Sequence, residues 1–161
     1  PGTTTGIANA APVAAQRGMQ REGVDTVSSM SPTDEGNAAI VRVLMEEVLG
    51  AGRMLLLSEL VAPDYVGHLA IGDHFGPEGV RIEFAAYRAA IIGLTVTVDD
   101  LFASNGRVAR RFTLRGTVRT SACIHHDEMH PVALHGIAID RLEDGRLVES
   151  WIHLDDFALA L

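Results

Sequence analysis

The chain reads VALHGIAIDRLEDGRLVESWIHL over residues 132–154. On both sides of the Glu-Asp-Gly triplet at 143–145, small or apolar residues alternate with other residues, which is typical of two strands joined by a tight turn. Gly145 stands at the turn position that favours a positive φ. We therefore predict an antiparallel hairpin with strands at residues 132–142 and 146–154.

Two segments upstream also have strand character. Residues 94–98 alternate and are β-branched, and residues 107–118 place Val108, Arg110, Phe112 and Leu114 on one face. Arg110 and Arg111 are consecutive, so a regular strand must turn one of them inward, as a snorkelling or ion-paired side chain. The sequence thus predicts a sheet of at least four strands in its second half.

The first half favours helices. Ser31 and Pro32 are typical of a helix start, apolar residues follow at helical spacing, and Gly50 ends the segment. A short second helix is expected over residues 53–61, then a loop over 62–76. A third helix begins at Pro77, and its apolar stripe contains Val80, Phe84, Tyr87, Ala90 and Ile91. Helices followed by an antiparallel sheet indicate the α+β class, with helices covering one face of the sheet.

Composition limits the kinds of partner. Of 161 residues, 13 are Lys or Arg and 21 are Asp or Glu, a net charge of −8 that disfavours nucleic acid and anionic membrane surfaces. Cys123 is the single cysteine, so these residues hold no disulfide pair. With no apolar run of membrane length and no secretory signal pattern, we expect a cytoplasmic protein. Residues 1–30 read as a flexible arm, and residues 31–161 as one domain.

Several motifs, in order, resemble the SnoaL-like polyketide cyclase family of the nuclear transport factor 2-like superfamily. They are Asp-Tyr-Val-Gly-His at 64–68, Gly-Pro-Glu-Gly-Val at 76–80, Leu-Thr-Val-Thr-Val-Asp-Asp at 94–100, Gly-Ile-Ala-Ile-Asp-Arg at 136–141, and Glu-Asp-Gly-Arg-Leu-Val-Glu at 143–149 with Trp151. The resemblance implies a cone-shaped α+β barrel in which three N-terminal helices pack on a curved antiparallel sheet and enclose an apolar pocket. It also implies a homodimer.

The chain departs from the family pattern where acid/base groups are expected. The resemblance places Ile152 where aldol-type cyclases carry an acid/base Asp, and it places Gly136 and Ala138 at polar pocket positions. Gly67 replaces an Asn of the Asp-Tyr-Val motif. An Ile can neither take nor give a proton, so aldol chemistry at this position is not expected.

Strand alternation predicts which residues line the pocket. One face carries Leu134, Gly136 and Ala138 beside Ser150, Ile152 and Leu154. This set predicts a roomy, apolar cavity that holds a hydrophobic small molecule. Holding a flexible chain folded can lower a barrier without proton transfer, so we expect ring closure by preorganisation, including an intramolecular [4+2] cycloaddition. In this respect the chain is similar to the indane-forming member of the family.

Other residues keep alternatives open. His68 is expected in a loop at the pocket mouth, and Asp140 either in the pocket as a buried carboxylate or exposed near the hairpin end. Either could make the protein an acid/base cyclase, isomerase or epoxide hydrolase. Three aromatic residues either belong to the core or stack on the ligand, namely Tyr65, Phe84 and Tyr87. A third alternative is a module that binds without catalysis.

No metal or cofactor is expected. The cluster His125, His126, Asp127, Glu128 and His130 has metal-ligating residue types. On a strand, however, His126 and His130 would lie about 13 Å apart, too far to share one ion. A hairpin tip is the better interpretation. His135, Trp151 and His153 fall on the face opposite the pocket, where an apolar surface would serve a dimer interface.

Overall fold

The computed structural model describes Gly2, residues 31–120 and residues 128–155. The proposed arm at residues 1–30 lies outside the described residues apart from Gly2. So do Cys123, the part of the histidine cluster at 125–127, and Asp156. Within the described residues, no helix is long and apolar enough to cross a membrane.

The helical first half begins at the predicted residue. The Ser31 side chain accepts a hydrogen bond from the Asp34 N–H and caps α1, Pro32–Val43. The chain continues through a π-helical segment, Leu44–Gly50, to the predicted glycine end. A 3₁₀ turn, Met54–Leu56, and a short helix α2, Leu57–Leu60, form the predicted second helix.

The loop predicted over residues 62–76 is wrong. Two strands occupy it, β1 at Val61–Leu69 and β2 at Gly72–Phe75, and α3 at Gly76–Ala90 follows directly. β1 pairs in parallel with a strand more than 80 residues downstream, with a register shift between Val61 and Val66 that spans Pro63. Such a long-range pairing has no local sequence signal, and the Pro disguises the alternation.

The sheet contains six strands. The remaining four are β3 at Ile92–Ser104, β4 at Arg107–Thr120, β5 at Glu128–Glu143 and β6 at Arg146–Leu154. The order is β2-β1-β6-β5-β4-β3, and every neighbouring pair is antiparallel except β1–β6. At the β5–β6 turn, Asp144 has φ 48° and Gly145 φ 74°, which confirms the predicted positive φ. All four predicted strands are confirmed.

The helices cover one face of the sheet, which confirms the α+β class. On β5, Leu134, Gly136, Ala138 and Asp140 are buried on this inner face, while the residues between them are exposed. Helix α3 buries Val80, Phe84 and Ile91 as predicted, whereas Ala90 is exposed. The other face of the sheet, called here the outer face, is not covered by any of the described helices.

Candidate functional site

The roomy cavity predicted around Gly136 is wrong. The sheet register places Gly136 opposite Phe112 on β4, and a Cβ added at Gly136 would clash with the Phe112 ring. The missing side chain therefore makes room for an aromatic ring, not for open space. Phe112 is itself buried among the core residues. Small residues on a strand predict a space, but only the facing strand decides what fills it.

Among the residues that the structure describes, two narrow clefts lie on the inner face, each of about 20 Å³, enough for about one water molecule. Tyr87, Ile152 and Leu154 line both, so these three side chains separate them. Phe84 also lines the first cleft, and residues 69–71 at the β1–β2 turn line the second. The structure thus brings together Phe84, Tyr87, Ile152 and Leu154, as predicted. Tyr65, Leu134, Gly136, Ala138 and Ser150 lie in the core and line neither cleft.

Asp140 is fully buried, which excludes the exposed placement, but it lies in the core and lines neither cleft. Its carboxylate forms an ion pair with Arg110, with 2.8 Å between Oδ2 and Nε and 3.3 Å between Oδ1 and Nη2. Ser150 donates to Oδ1 at 2.6 Å. Arg110 is thus the inward member of its consecutive pair and is ion-paired, as predicted. The ion pair compensates the buried charge of Asp140. This carboxylate therefore stabilises the contact between β4 and β5 and is not free to act as a base.

Tyr65 extends the same network. Its hydroxyl lies beside Ser150 and interacts with that side chain, which in turn donates to Asp140. A Cβ at Gly67 would lie 2.6 Å from the Tyr65 hydroxyl oxygen, so the glycine at this position makes room for the phenol. Burial raises the pKa of Tyr65 far above its ordinary value, and the phenol therefore stays protonated.

Glu83 is a cleft residue that the sequence interpretation missed. It lies on α3, is only 7% exposed, and lines the first cleft together with Arg110. Burial raises the pKa of Glu83, partly offset by the nearby charge of His74. A signal was present in the sequence: Glu83 falls three residues after Val80, within the apolar stripe of the helix. A carboxylate on a buried stripe needs a partner or a function.

His68 lies on a strand and not in a loop, which corrects the prediction. Its side chain stacks on Trp151, with 5.5 Å between ring centroids, on the outer face. The ring nitrogens lie 3.0 Å from the Asp73 carboxylate and 3.2 Å from that of Glu149. Hydrogen bonds to Glu149 and then Asp73 raise the pKa of His68. His68 lines neither inner cleft.

A larger hollow of about 650 Å³ lies on the outer face, where it is open to solvent. Its apolar lining includes Phe102, 69% exposed, and Ile137, 57% exposed, together with Ile139 and Trp151. The predicted pocket residues Ala138 and Ile152 also line this hollow. His68 and His153 are among its polar residues. The predicted outward direction of Trp151 and His153 is therefore confirmed. Across residues 31–120 and 128–155, no group of three or more His, Cys, Asp or Glu side chains is placed to hold a metal ion.

Comparisons with known proteins agree with this geometry. The family model described as SnoaL-like polyketide cyclase matches residues 39–161. Among solved structures, IdmH of Streptomyces antibioticus, described as a polyketide cyclase, is 25% identical, with a TM-score of 0.65 over 77% of this chain and 95% of that chain. A SnoaL-like polyketide cyclase structure from Jannaschia sp. CCS1 is 18% identical and has a TM-score of 0.70 over 82% and 94%.

A third structure, TsrD of Streptomyces laurentii, is 19% identical, with a TM-score of 0.61 over 81% of this chain and 95% of that chain. The likenesses below 25% identity support the fold alone. None of the curated proteins matches the chain significantly.

Proposed function

Because the chain belongs to the SnoaL-like polyketide cyclase family, we propose that it is a cyclase of natural-product biosynthesis that closes a ring in a hydrophobic, linear polyketide or polyene intermediate. Its inner clefts are the site, and it needs no cofactor. The observation that carries the proposal is the position of Ile152, which lines both clefts where aldol-type members of the family carry an acid/base Asp.

Ring closure in this site proceeds mainly by preorganisation. Phe84, Tyr87, Ile152 and Leu154 form apolar walls that favour a folded conformation of a flexible chain. Bringing two reacting segments into contact removes much of the entropic barrier, worth up to about 7–11 kcal/mol in well-oriented systems. An intramolecular [4+2] cycloaddition suits such walls because it moves no proton.

Substrate entry requires the two clefts to merge. A site for a small organic molecule usually has a volume of about 300–1,000 Å³, far above the 20 Å³ of each cleft. Tyr87, Ile152 and Leu154 stand between the clefts, so substrate entry requires these side chains to move aside and join them. The open end then lies at the β1–β2 turn, where Ile71 is exposed.

The outer face serves a different purpose in this proposal. Its large exposed apolar side chains form a patch of the kind that monomeric proteins seldom leave in water. A second copy of the chain packs there and covers Phe102, Ile137 and Trp151, so the working protein is a homodimer.

The acid/base alternative through Asp140 or His68 has weaker support. Arg110 engages the Asp140 carboxylate inside the core, and His68 faces the opposite side of the sheet from the clefts. A module that binds without catalysis would have the same clefts, and only a measurement of turnover separates it from an enzyme.

The test uses a synthetic probe, the N-acetylcysteamine thioester of a linear chain with a conjugated diene and an α,β-unsaturated acyl group. The probe is incubated with the protein in deuterated water, and mass spectrometry and NMR follow ring formation and deuterium uptake. We expect closure faster than in buffer alone, without deuterium at the new ring carbons. Deuterium there would overturn the preorganisation mechanism, and closure no faster than in buffer would overturn the proposed activity.

Matched variants locate the site. Leu154→Phe adds volume between the two clefts at a residue that does not line the outer hollow, and it is expected to abolish the acceleration. Ile82→Phe introduces the same side chain at an exposed position of α3 and is expected to leave the rate unchanged. Equal rates in both variants would exclude the inner clefts as the site.

A further inference from the structure

Helix α3 carries a buried carboxylate, that of Glu83, which lines the first inner cleft. Gly79 lies directly over His74, since a Cβ at Gly79 would be 3.1 Å from the His74 Cβ. Without a side chain at this position the helix can approach β2 closely. Glu83 follows one turn later on the same face of the helix, which brings its Oε2 to 3.5 Å from His74 Nδ1.

We propose that Glu83 is the general base of the inner cleft, that it takes a proton from the carbon of a small, apolar carbon acid, and that His74 positions it. The inference rests on the proposed function in placing the ligand in the inner cleft and in the opening of that cleft, since its closed volume of about 20 Å³ does not hold an organic molecule. It adds a proton-transfer activity that ring closure by preorganisation does not need. It also names a residue outside the strand position where the family resemblance places an acid/base group.

Charged and titratable groups surround Glu83 from four strands. His74 approaches from β2 and Arg110 from β4, and both favour the ionised carboxylate. Asp140 on β5 disfavours the ionised form of Glu83. The Tyr65 phenol on β1 also interacts electrostatically with Glu83. Burial has the largest effect and raises the pKa of Glu83. A carboxylate with a raised pKa is a stronger base once ionised, as a general base requires.

Glu83 is better placed for this role than Asp140. Ser150 and Arg110 both engage the Asp140 carboxylate, which lines neither cleft, whereas Glu83 lines the first cleft. Arg110 lines that cleft as well, and its guanidinium is held in the core by the Asp140 carboxylate. The walls around Glu83, among them Phe84 and Leu154, are apolar. A carbon acid bound there would lose its water contacts, and the base would act in a low-dielectric site.

The probe for this activity is 5-nitrobenzisoxazole, a flat and apolar carbon acid. Glu83 takes the proton from C3, the C–H electron pair becomes the third C–N bond of a nitrile, and the N–O bond breaks with its electron pair left on the phenolate oxygen. The product, 2-cyano-4-nitrophenolate, is coloured, and Glu83 returns its proton to water. The full chain is assayed by absorbance against buffer of the same composition.

We expect Glu83→Gln to lower the rate by about 10²-fold or more, since a positioned base usually contributes 10²–10⁴-fold. Glu78→Gln removes a carboxylate from the exposed side of the same helix and is expected to keep the wild-type rate. Circular dichroism and thermal melting show that each variant is folded. Wild-type protein without activity above buffer, or equal rates in the two variants, would overturn the proposal.

The pH profile tests His74 as a positioning residue. The base acts when ionised, so the rate rises with pH through the pKa of Glu83, which burial holds above the ordinary value of about 4.3. The positive charge of His74 lowers this pKa, so His74→Gln is expected to move the rise to higher pH. A purely structural role for His74 would change the rate without moving the rise, and that result would overturn the positioning role.

The 5-nitrobenzisoxazole assay and the ring-closure test have independent outcomes. If the dienyl thioester does not cyclise but 5-nitrobenzisoxazole is turned over in a Glu83-dependent way, the proposed cyclisation is wrong and the base is supported. If the thioester cyclises without deuterium uptake and Glu83→Gln leaves turnover of 5-nitrobenzisoxazole unchanged, the cyclisation is supported and the base is wrong.

Discussion

At the scale of single residues, the inner face holds an unusual amount of charge. Arg110 and Asp140 are both buried, and their ion pair joins β4 to β5 diagonally, since the register places Arg110 opposite Ala138 and Asp140 opposite Val108. Removing one member of such a pair costs more than the pair contributes, because the other charge stays buried without compensation. The alternation of β5 places Asp140 inward from sequence alone. Its partner depended on which of two consecutive arginines turned inward.

Asp140→Asn is therefore expected to lower the free energy of unfolding by about 3–5 kcal/mol, because Arg110 keeps its charge in the core. Asp144→Asn, at the exposed β5–β6 turn where φ is 48°, is expected to change it by less than about 0.5 kcal/mol, since Asn tolerates this conformation. Urea denaturation at neutral pH measures both. Equal losses in the two variants would mean that the ion pair is not a major stabilising contact.

At the scale of secondary-structure elements, β4 and β5 meet through a ring packed on a glycine. Phe112 lies over Gly136 on the neighbouring strand, and its ring fills the space that a side chain at position 136 would occupy. The sequence interpretation assigned both strands correctly and took Gly136 as the floor of a cavity. The strands follow from local alternation, but the filling of the space follows from register, which a single strand does not encode.

Gly136→Ala tests this packing. The new methyl group must displace a buried ring, so we expect a loss of about 1–3 kcal/mol in the free energy of unfolding. Combining it with Phe112→Leu should recover part of that loss. Gly36→Ala, on α1 with nothing within 4 Å of the added atom, should instead stabilise the protein by up to about 1 kcal/mol through helix propensity. A neutral Gly136→Ala variant would contradict the packing.

At the scale of the whole molecule, the two faces of the sheet have different roles. The inner face is covered by helices and has narrow clefts of about 20 Å³, whereas the outer face has a hollow of about 650 Å³ with exposed aromatic and aliphatic side chains. Ile139 lies near the centre of that face, paired with Ala109 on one side and Trp151 on the other. The proposed homodimer would cover it.

Ile139→Lys should therefore convert a dimer into a monomer, because two lysines would be buried at the centre of the interface without partners. Size-exclusion chromatography with light scattering gives the mass directly. Leu55→Lys changes an apolar residue that is also exposed but lies on the 3₁₀ turn, and it should leave the dimer intact. A monomeric wild-type protein, or a dimeric Ile139→Lys variant, would contradict the proposed interface.

Periodicity along the chain was sufficient for the α+β class, the four long strands, the β5–β6 turn and the first and third helices, because each depends on residues a few positions apart. The ordered motifs also identified the family. The inward direction of Asp140 and the outward direction of Trp151 follow from the same period of two.

Tertiary structure alone decided the rest. The β1–β6 pairing, the Phe112 ring over Gly136, the place of His68 on the outer face and the approach of Glu83 to His74 all join segments that are distant in sequence or belong to different elements. The alternation along a strand predicts which face of the sheet a side chain occupies, but not which residues it contacts. The shape and charge of the cleft depend on contacts between different elements, and these contacts form only when the helices pack on the sheet.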